Sequence, residues 1–279
     1  MNYFYGFIIL IAACLVIWVI LLVSKRSRFN AMIAKMREDI LSEHGSVKFE
    51  TSMVEELPEP AARLILHAIK PGTVLAKSAV IQIDGGFKID TDKKPLPMYS
   101  TLNISVPKGL VWDTSIGSGF MSIKGTDYYY EGEGGQNIRL WDLFPIVSTG
   151  GPDISKSAAG RVASESTLLP SALLPLNGTK WIPEHENSAT AVIDVHGEEV
   201  KIRFTVDAEG SLVEVSVQRW SDQGQPGKFE YMEFRVTDFS HEVEYGGYTI
   251  PTRFNAGWNL EETGYKPFFL AEISNAEYR

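Results

Sequence analysis

Arg161 and Glu165 stand four residues apart in residues 153–175, a stretch without strand alternation that reads as a helix ending near Pro170. That spacing puts both side chains on one helix face. If the face presses on a sheet it is buried, and a buried arginine needs a partner to offset its desolvation. Two readings follow: a salt bridge that locks helix to sheet, or an arginine awaiting an anionic head group. A third use makes Glu165 the acid/base of a hydrolase or transferase beside Arg161, which requires a solvent-connected cleft at Glu165. Asp194 and Asp207 are further carboxylates that would pair with Glu165 in such chemistry, although any acidic domain supplies such coincidences.

The other motifs point to ordinary structure. Gly132-Glu133-Gly134-Gly135 has the glycine density of a phosphate loop, but such loops lead into a helix and usually carry a lysine. Here Asn137-Ile138-Arg139-Leu140-Trp141 follows with strand alternation, so a bulge or wide hairpin is expected. Gly117-Ser118-Gly119 lacks the spacing of a nucleophile elbow. His44, His67, His185, His196 and His241 include no pair at metal-ligand spacing, and His196-Gly197 reads as a turn. No catalytic residue, metal or cofactor is assigned.

The feature that positions everything else is the run Phe4–Val23, twenty residues with no charge and no proline. As a helix it spans roughly 30 Å, the thickness of a bilayer's hydrocarbon. It predicts a single transmembrane anchor within residues 1–26, with the bilayer as its partner. Cys14, the only cysteine, ends Ile11-Ala12-Ala13-Cys14, which has the look of a lipoprotein cleavage box. The basic start and polar continuation of such signals are missing, so Cys14 is read as a helix residue. Residues 1–40 carry five basic and two acidic residues, which leaves −12 of the whole-chain −9 on residues 41–279. A domain that acidic repels nucleic acid. The basic residues all follow the apolar run, so the positive-inside rule predicts a cytoplasmic domain. An extracytoplasmic one is the alternative.

Behind the anchor, residues 27–56 read as a juxtamembrane helix and linker. Phe29, Met32, Ile33, Met36 and Ile40 share one helix face, which lies on the surface or continues the anchor. Leu57-Pro58-Glu59-Pro60 opens a second helix with Leu64, Ile65, Ala68 and Ile69 apolar, stopped by Pro71-Gly72. From Thr73 onward apolar residues recur every second position between short turns. About eleven to thirteen strands are expected, mostly antiparallel. Residues 57–279 are therefore expected to form a mainly β domain: one large curved antiparallel sheet, or half-barrel, with two or three helices against one face. Trp112, Trp141, Trp181, Trp220 and Trp258 lie in or beside strands, mostly as core. If the helices leave the concave face open, Trp112, Phe120 and Trp181 line an apolar cavity.

Several segments also carry a resemblance. Leu110-Val111-Trp112, Asp127-Tyr128, Gly132-Glu133-Gly134, Arg139-Leu140 and Pro145-Ile146-Val147 are similar to an uncharacterised family of predominantly bacterial proteins of unknown function. Arg161-Val162-Ala163-Ser164-Glu165, Leu169 through Pro175, Trp181 and Gly246 through Pro251 extend the likeness over about residues 57–275. That family resembles the half-barrel of LolA/LolB-like lipoprotein carriers, which hold acyl chains against a concave apolar face. The carriers are soluble or lipid-anchored outside the cytoplasm, unlike a chain with a transmembrane helix and this charge flank. The resemblance implies a tethered module that holds a lipid or other amphiphile, with Trp112, Phe120, Arg139, Arg161, Glu165 and Trp181 as candidate ligand-binding residues. Alternatives are a scaffold that meets an unidentified protein partner at a strand edge, or the Glu165 hydrolase.

Overall fold

Period-two alternation carries through into thirteen strands: β1 (Ala79–Phe87), β2 (Leu96–Ser105), β3 (Gly109–Ile116), β4 (Ile123–Tyr130), β5 (Glu133–Leu140), β6 (Phe144–Gly150), β7 (Lys180–His185), β8 (Ser188–Val195), β9 (Glu198–Val206), β10 (Leu212–Gln225), β11 (Lys228–Tyr245), β12 (Tyr248–Leu260) and β13 (Gly264–Tyr278). This computed structural model describes residues 2–261 and 264–279; Thr263, the first half of the expected Thr263-Gly264 corner, lies outside them. All thirteen strands belong to one sheet, in the order β6-β5-β4-β3-β2-β1-β13-β12-β11-β10-β9-β8-β7. Two meanders meet where β1 pairs antiparallel with β13, Ala79 facing Tyr278. The chain's last strand is thus central. Tight turns join the meander strands: Glu131-Gly132 and His196-Gly197 all have positive φ, the form two-residue hairpins favour. The glycine-rich segment at Gly132 is therefore a hairpin. The sheet curls until Tyr129 of β4 brings its hydroxyl within 3.2 Å of His196 Nδ1, at the β8–β9 turn.

Antiparallel order gives the sheet two ends. In the limb β1 to β6 and the strands beside it, one end carries the β3–β4, β5–β6 and β12–β13 connections, and the other carries the β2–β3, β4–β5 and β9–β10 connections. The first helix, α1 (Asn2–Ile40), runs from the former to the latter over the outer face. The segment after residue 26 therefore continues the apolar run as one helix without a break as far as Ile40. Ile33 and Ile40 pack on Val111 of β3, with Phe29 and Met36 beside them, whereas Met32 points away into solvent. Arg37 donates to Asp113 Oδ2 at 2.5 Å, and Arg26 pairs with Asp142 at the β5–β6 turn. Tyr3–Ile40 is long and apolar enough to cross a membrane, and its most apolar window is wholly unburied.

On the inner face lie α2 (Glu59–Ala68) and α3 (Pro152–Ser164). Leu64, Ile65, Ala68 and Ile69 bury the side of α2 that their spacing predicts. The α3 helix bridges the two limbs of the sheet, touching β4 and β5 on one side and β8, β9 and β10 on the other. It approaches β5 closely because residue 134 is glycine: a Cβ there would stand 2.8 Å from Ala158 Cβ. The helix stops at Ser164, earlier than the expected end near Pro170, and 3₁₀ turns at Glu165–Thr167 and Pro170–Leu173 follow. The Ser-Glu-Ser-Thr segment explains this: short hydroxyl side chains bond back to the main chain, Ser164 Oγ to Gly160 O at 2.7 Å and Thr167 Oγ1 to Ser164 O at 2.8 Å.

The core is one continuous cluster beneath these helices. Its largest fully buried side chain is Tyr248, whose hydroxyl donates to Val74 O at 3.0 Å and accepts the Ala76 N–H at 2.7 Å. Tyr248→Phe leaves both backbone groups unanswered. Urea unfolding is expected to show a lower midpoint at unchanged slope, corresponding to a loss of about 1–3 kcal/mol.

Candidate functional site

Val215, Val217 and Arg219 alternate along β10 onto the inner face, the first two fully in the core. The register sets Val217 opposite Phe234 on β11, and Phe234 opposite Trp258 on β12. Arg219 is consequently an arginine at an apolar position. Its guanidinium carbon lies 5.0 Å from the Phe234 ring centre and 5.3 Å from that of Trp258. The α3 helix passes directly over it: a Cβ on Gly160 would stand 3.3 Å from Arg219 Cγ. One weak bond, to Ser157 O at 3.4 Å, uses one guanidinium nitrogen, while Nε is buried without a partner.

Nearby, Arg161 of α3 is paired with two carboxylates. Its NH1 donates to Asp127 Oδ2 at 2.6 Å and its Nε to Glu165 Oε1 at 3.2 Å, and the guanidinium lies 4.5 Å above the Trp112 ring. The carboxylates that could neutralise Arg219 are thereby taken. Among the described residues no carboxylate comes within 4.0 Å of Arg219. Burial, and then repulsion from Arg161, push the Arg219 pKa down to about 10, with Glu165 and Asp127 offsetting part of the shift. At neutral pH the group is still a cation. Solvent reaches this end of the inner face, because the side chains of Arg161, Asp127 and Glu165 keep 20%, 21% and 19% exposure.

Half-buried aromatic rings form the wall beside the two arginines. Phe268 of β13 meets Phe234 at 6.3 Å and Phe87 of β1 at 5.5 Å, while Phe269 meets Trp112 at 6.1 Å. This wall occupies the sheet end from which the first half of α1 projects. Deeper in, the concave face is filled. Beside α2, between Leu64, Ala68, Leu173, Phe204 and Leu212, a space of only about 20 Å³ remains.

The six expected binding residues do not converge on one surface. Trp112, Arg161 and Glu165 meet as described. Trp181 is half-buried and packed against the core, donating to Leu173 O at 2.9 Å beside Phe204. Phe120 is 87% exposed, on a 3₁₀ turn, Gly119–Met121. Arg139 lies on the opposite, outer face, over the Phe29 ring of α1. There it lines a polar groove of about 600 Å³ with Arg37, Asp113 and Lys124. Trp112, Phe120 and Trp181 therefore line no common cavity: helices and 3₁₀ turns fill the space between them. Asp194 and Asp207 accept backbone N–H groups of their own turns, which keeps them away from Glu165. Asp127, Arg219, Phe234, Trp258 and Phe268 were missed. The sequence signal for Arg219 was a charge continuing the inward alternation of Val215 and Val217.

Residues 55–278 match the family described as "Family of unknown function (DUF6920)", and the chain belongs to that family. No curated protein matches it. Among solved structures it is similar to a putative outer membrane lipoprotein-sorting protein domain from Vibrio parahaemolyticus: 11% identity, 82% of this chain and 92% of that one, TM-score 0.39. A LolA superfamily protein from Nitrosomonas europaea aligns at 9% identity over 84% and 94%, TM-score 0.40. A DUF1329 family protein from Desulfovibrio piger aligns at 12% over 79% and 90%, TM-score 0.37.

The unequal arginines make opposite predictions. Arg161→Met strands two enclosed carboxylates and is expected to destabilise by roughly 3 kcal/mol. Arg219→Met replaces an uncompensated cation with a packing side chain, and should hold or raise the unfolding midpoint. Thermal and urea unfolding of the two variants checks both.

Proposed function

We propose that this DUF6920 protein is a membrane-tethered binding module that seats an amphiphile with an anionic head group at Arg219. The apolar part of the ligand lies against Phe234, Trp258, Phe268 and Phe87. The observation that carries this reading is Arg219 itself: an enclosed guanidinium with a free Nε donor, on an aromatic wall, with the adjacent carboxylates already engaged. An anion arriving there restores the missing charge-assisted hydrogen bonds. Asp127 and Glu165 hold Arg161 in place beside the site.

Because the deep concave face is packed, the ligand is held at the opening. The tether is the Phe4–Val23 segment, and the basic residues that follow it argue for a domain on the cytoplasmic side. An arginine kept without a counter-ion costs stability, and a binding role accounts for retaining it.

The test uses the full chain in nanodiscs of phosphatidylcholine, titrated with dodecyl phosphate or with dodecanol. Tryptophan emission should change saturably with the phosphate and much less with the alcohol. Arg219→Met should weaken phosphate binding about 10–100-fold, the loss of one charged hydrogen bond. Unchanged affinity in a folded Arg219→Met variant would refute the assignment.

A further inference from the structure

At the anchor end of the sheet, exposed and half-buried apolar residues form a continuous row that leads to α1. Phe120 meets Trp141 at 5.9 Å, Trp141 meets Phe144 at 6.0 Å, and Phe144 meets Trp18 of α1 at 6.0 Å. Met121 and Ile146 flank the row, and both are exposed. The row is built rather than floppy. Trp141 Nε1 donates to Phe120 O at 3.2 Å, and the Trp141 N–H donates to Ser122 O at 2.8 Å. Trp141 and Asp142 turn the β5–β6 hairpin with φ of 51° and 58°, values glycine adopts more readily than tryptophan. A large indole is thus held outward at a turn where a small residue is the easier choice.

Trp18 fixes the depth of this row. It lies five residues before the end of the apolar run at Val23, about 7.5 Å along the helix axis. Any group packed on Trp18 is therefore inside the span, beyond the polar boundary marked by Lys25, Arg26 and Arg28. The Arg26–Asp142 pair sits where that boundary crosses the hairpin. Tryptophan is also the residue favoured at lipid–water interfaces.

We propose that the β5–β6 hairpin tip and the Gly119–Met121 turn form a rim that dips into the bilayer beside the anchor, with Phe120, Met121, Trp141, Phe144 and Ile146 in contact with lipid. This rests on reading Phe4–Val23 as the spanning segment. The rim joins α1 in a second attachment and sets the tilt of the sheet. Its aromatic opening, at the same end, then faces lipid, so an amphiphile reaches Arg219 without crossing bulk water.

Spin labels on single cysteines, in a Cys14→Ser background, test this with the full chain in phosphatidylcholine liposomes. Phe120→Cys and Ile146→Cys report the rim, Ile11→Cys the span, and Glu209→Cys the far end of the sheet; all four side chains are exposed. Support is an oxygen-to-nickel-chelate collision ratio several-fold higher at Phe120, Ile146 and Ile11 than at Glu209. A lipid-immersed label at Ile11 with rim labels as aqueous as Glu209 overturns the rim and leaves the anchor standing. An aqueous label at Ile11 overturns the anchor and the rim together.

Discussion

A guanidinium withdrawn from water must be answered by acceptors, and the two arginines beneath α3 are answered unequally. Arg161 holds Asp127 and Glu165, and its ionic pairing fastens α3 to β4. That pairing leaves Arg219, on the other limb, with one long bond to a carbonyl. The same helix that closes the curved sheet therefore creates the group with unmet hydrogen-bonding capacity. Both the closure of the fold and the candidate site follow from how α3 is charged and where it lies.

The outer face works differently. There α1 is clamped by Ile33 and Ile40 on Val111, by Arg37 on Asp113 and by Arg26 on Asp142, so the apolar helix leaves the domain in a set direction. A flexible linker would let the domain turn freely about the apolar helix, whereas a continuous helix fixes the direction of Phe4–Val23 relative to the sheet. The inner face carries the two unequal arginines, and the outer face fixes the direction of the helix.

Much of this architecture is legible in the residues. The alternation at Ile81-Ile83, Leu102-Ile104, Val200-Ile202 and Val215-Val217 marks strands, and Leu64, Ile65, Ala68 and Ile69 mark the buried side of α2, because burial on one face imposes the period of the element. The site was legible only in part. Arg161 and Glu165 are four apart on a helix, a local relation, but their partner Asp127 is 34 residues away and meets Arg161 only across the curve of the sheet. Arg139 reads as an equivalent candidate, yet one position of strand parity sends its side chain to the opposite face.

From its own order of residues the chain determines a spanning-length apolar helix, an acidic body behind a basic flank, and strands enough for a single large antiparallel sheet, since each depends on composition and short-range periodicity. Tertiary structure alone decided that β13 would pair with β1, that the concave interior would be filled, and that Arg219 would go without a counter-ion. Those outcomes depend on which distant side chains a bent sheet brings within a few ångströms, and no local pattern encodes that distance.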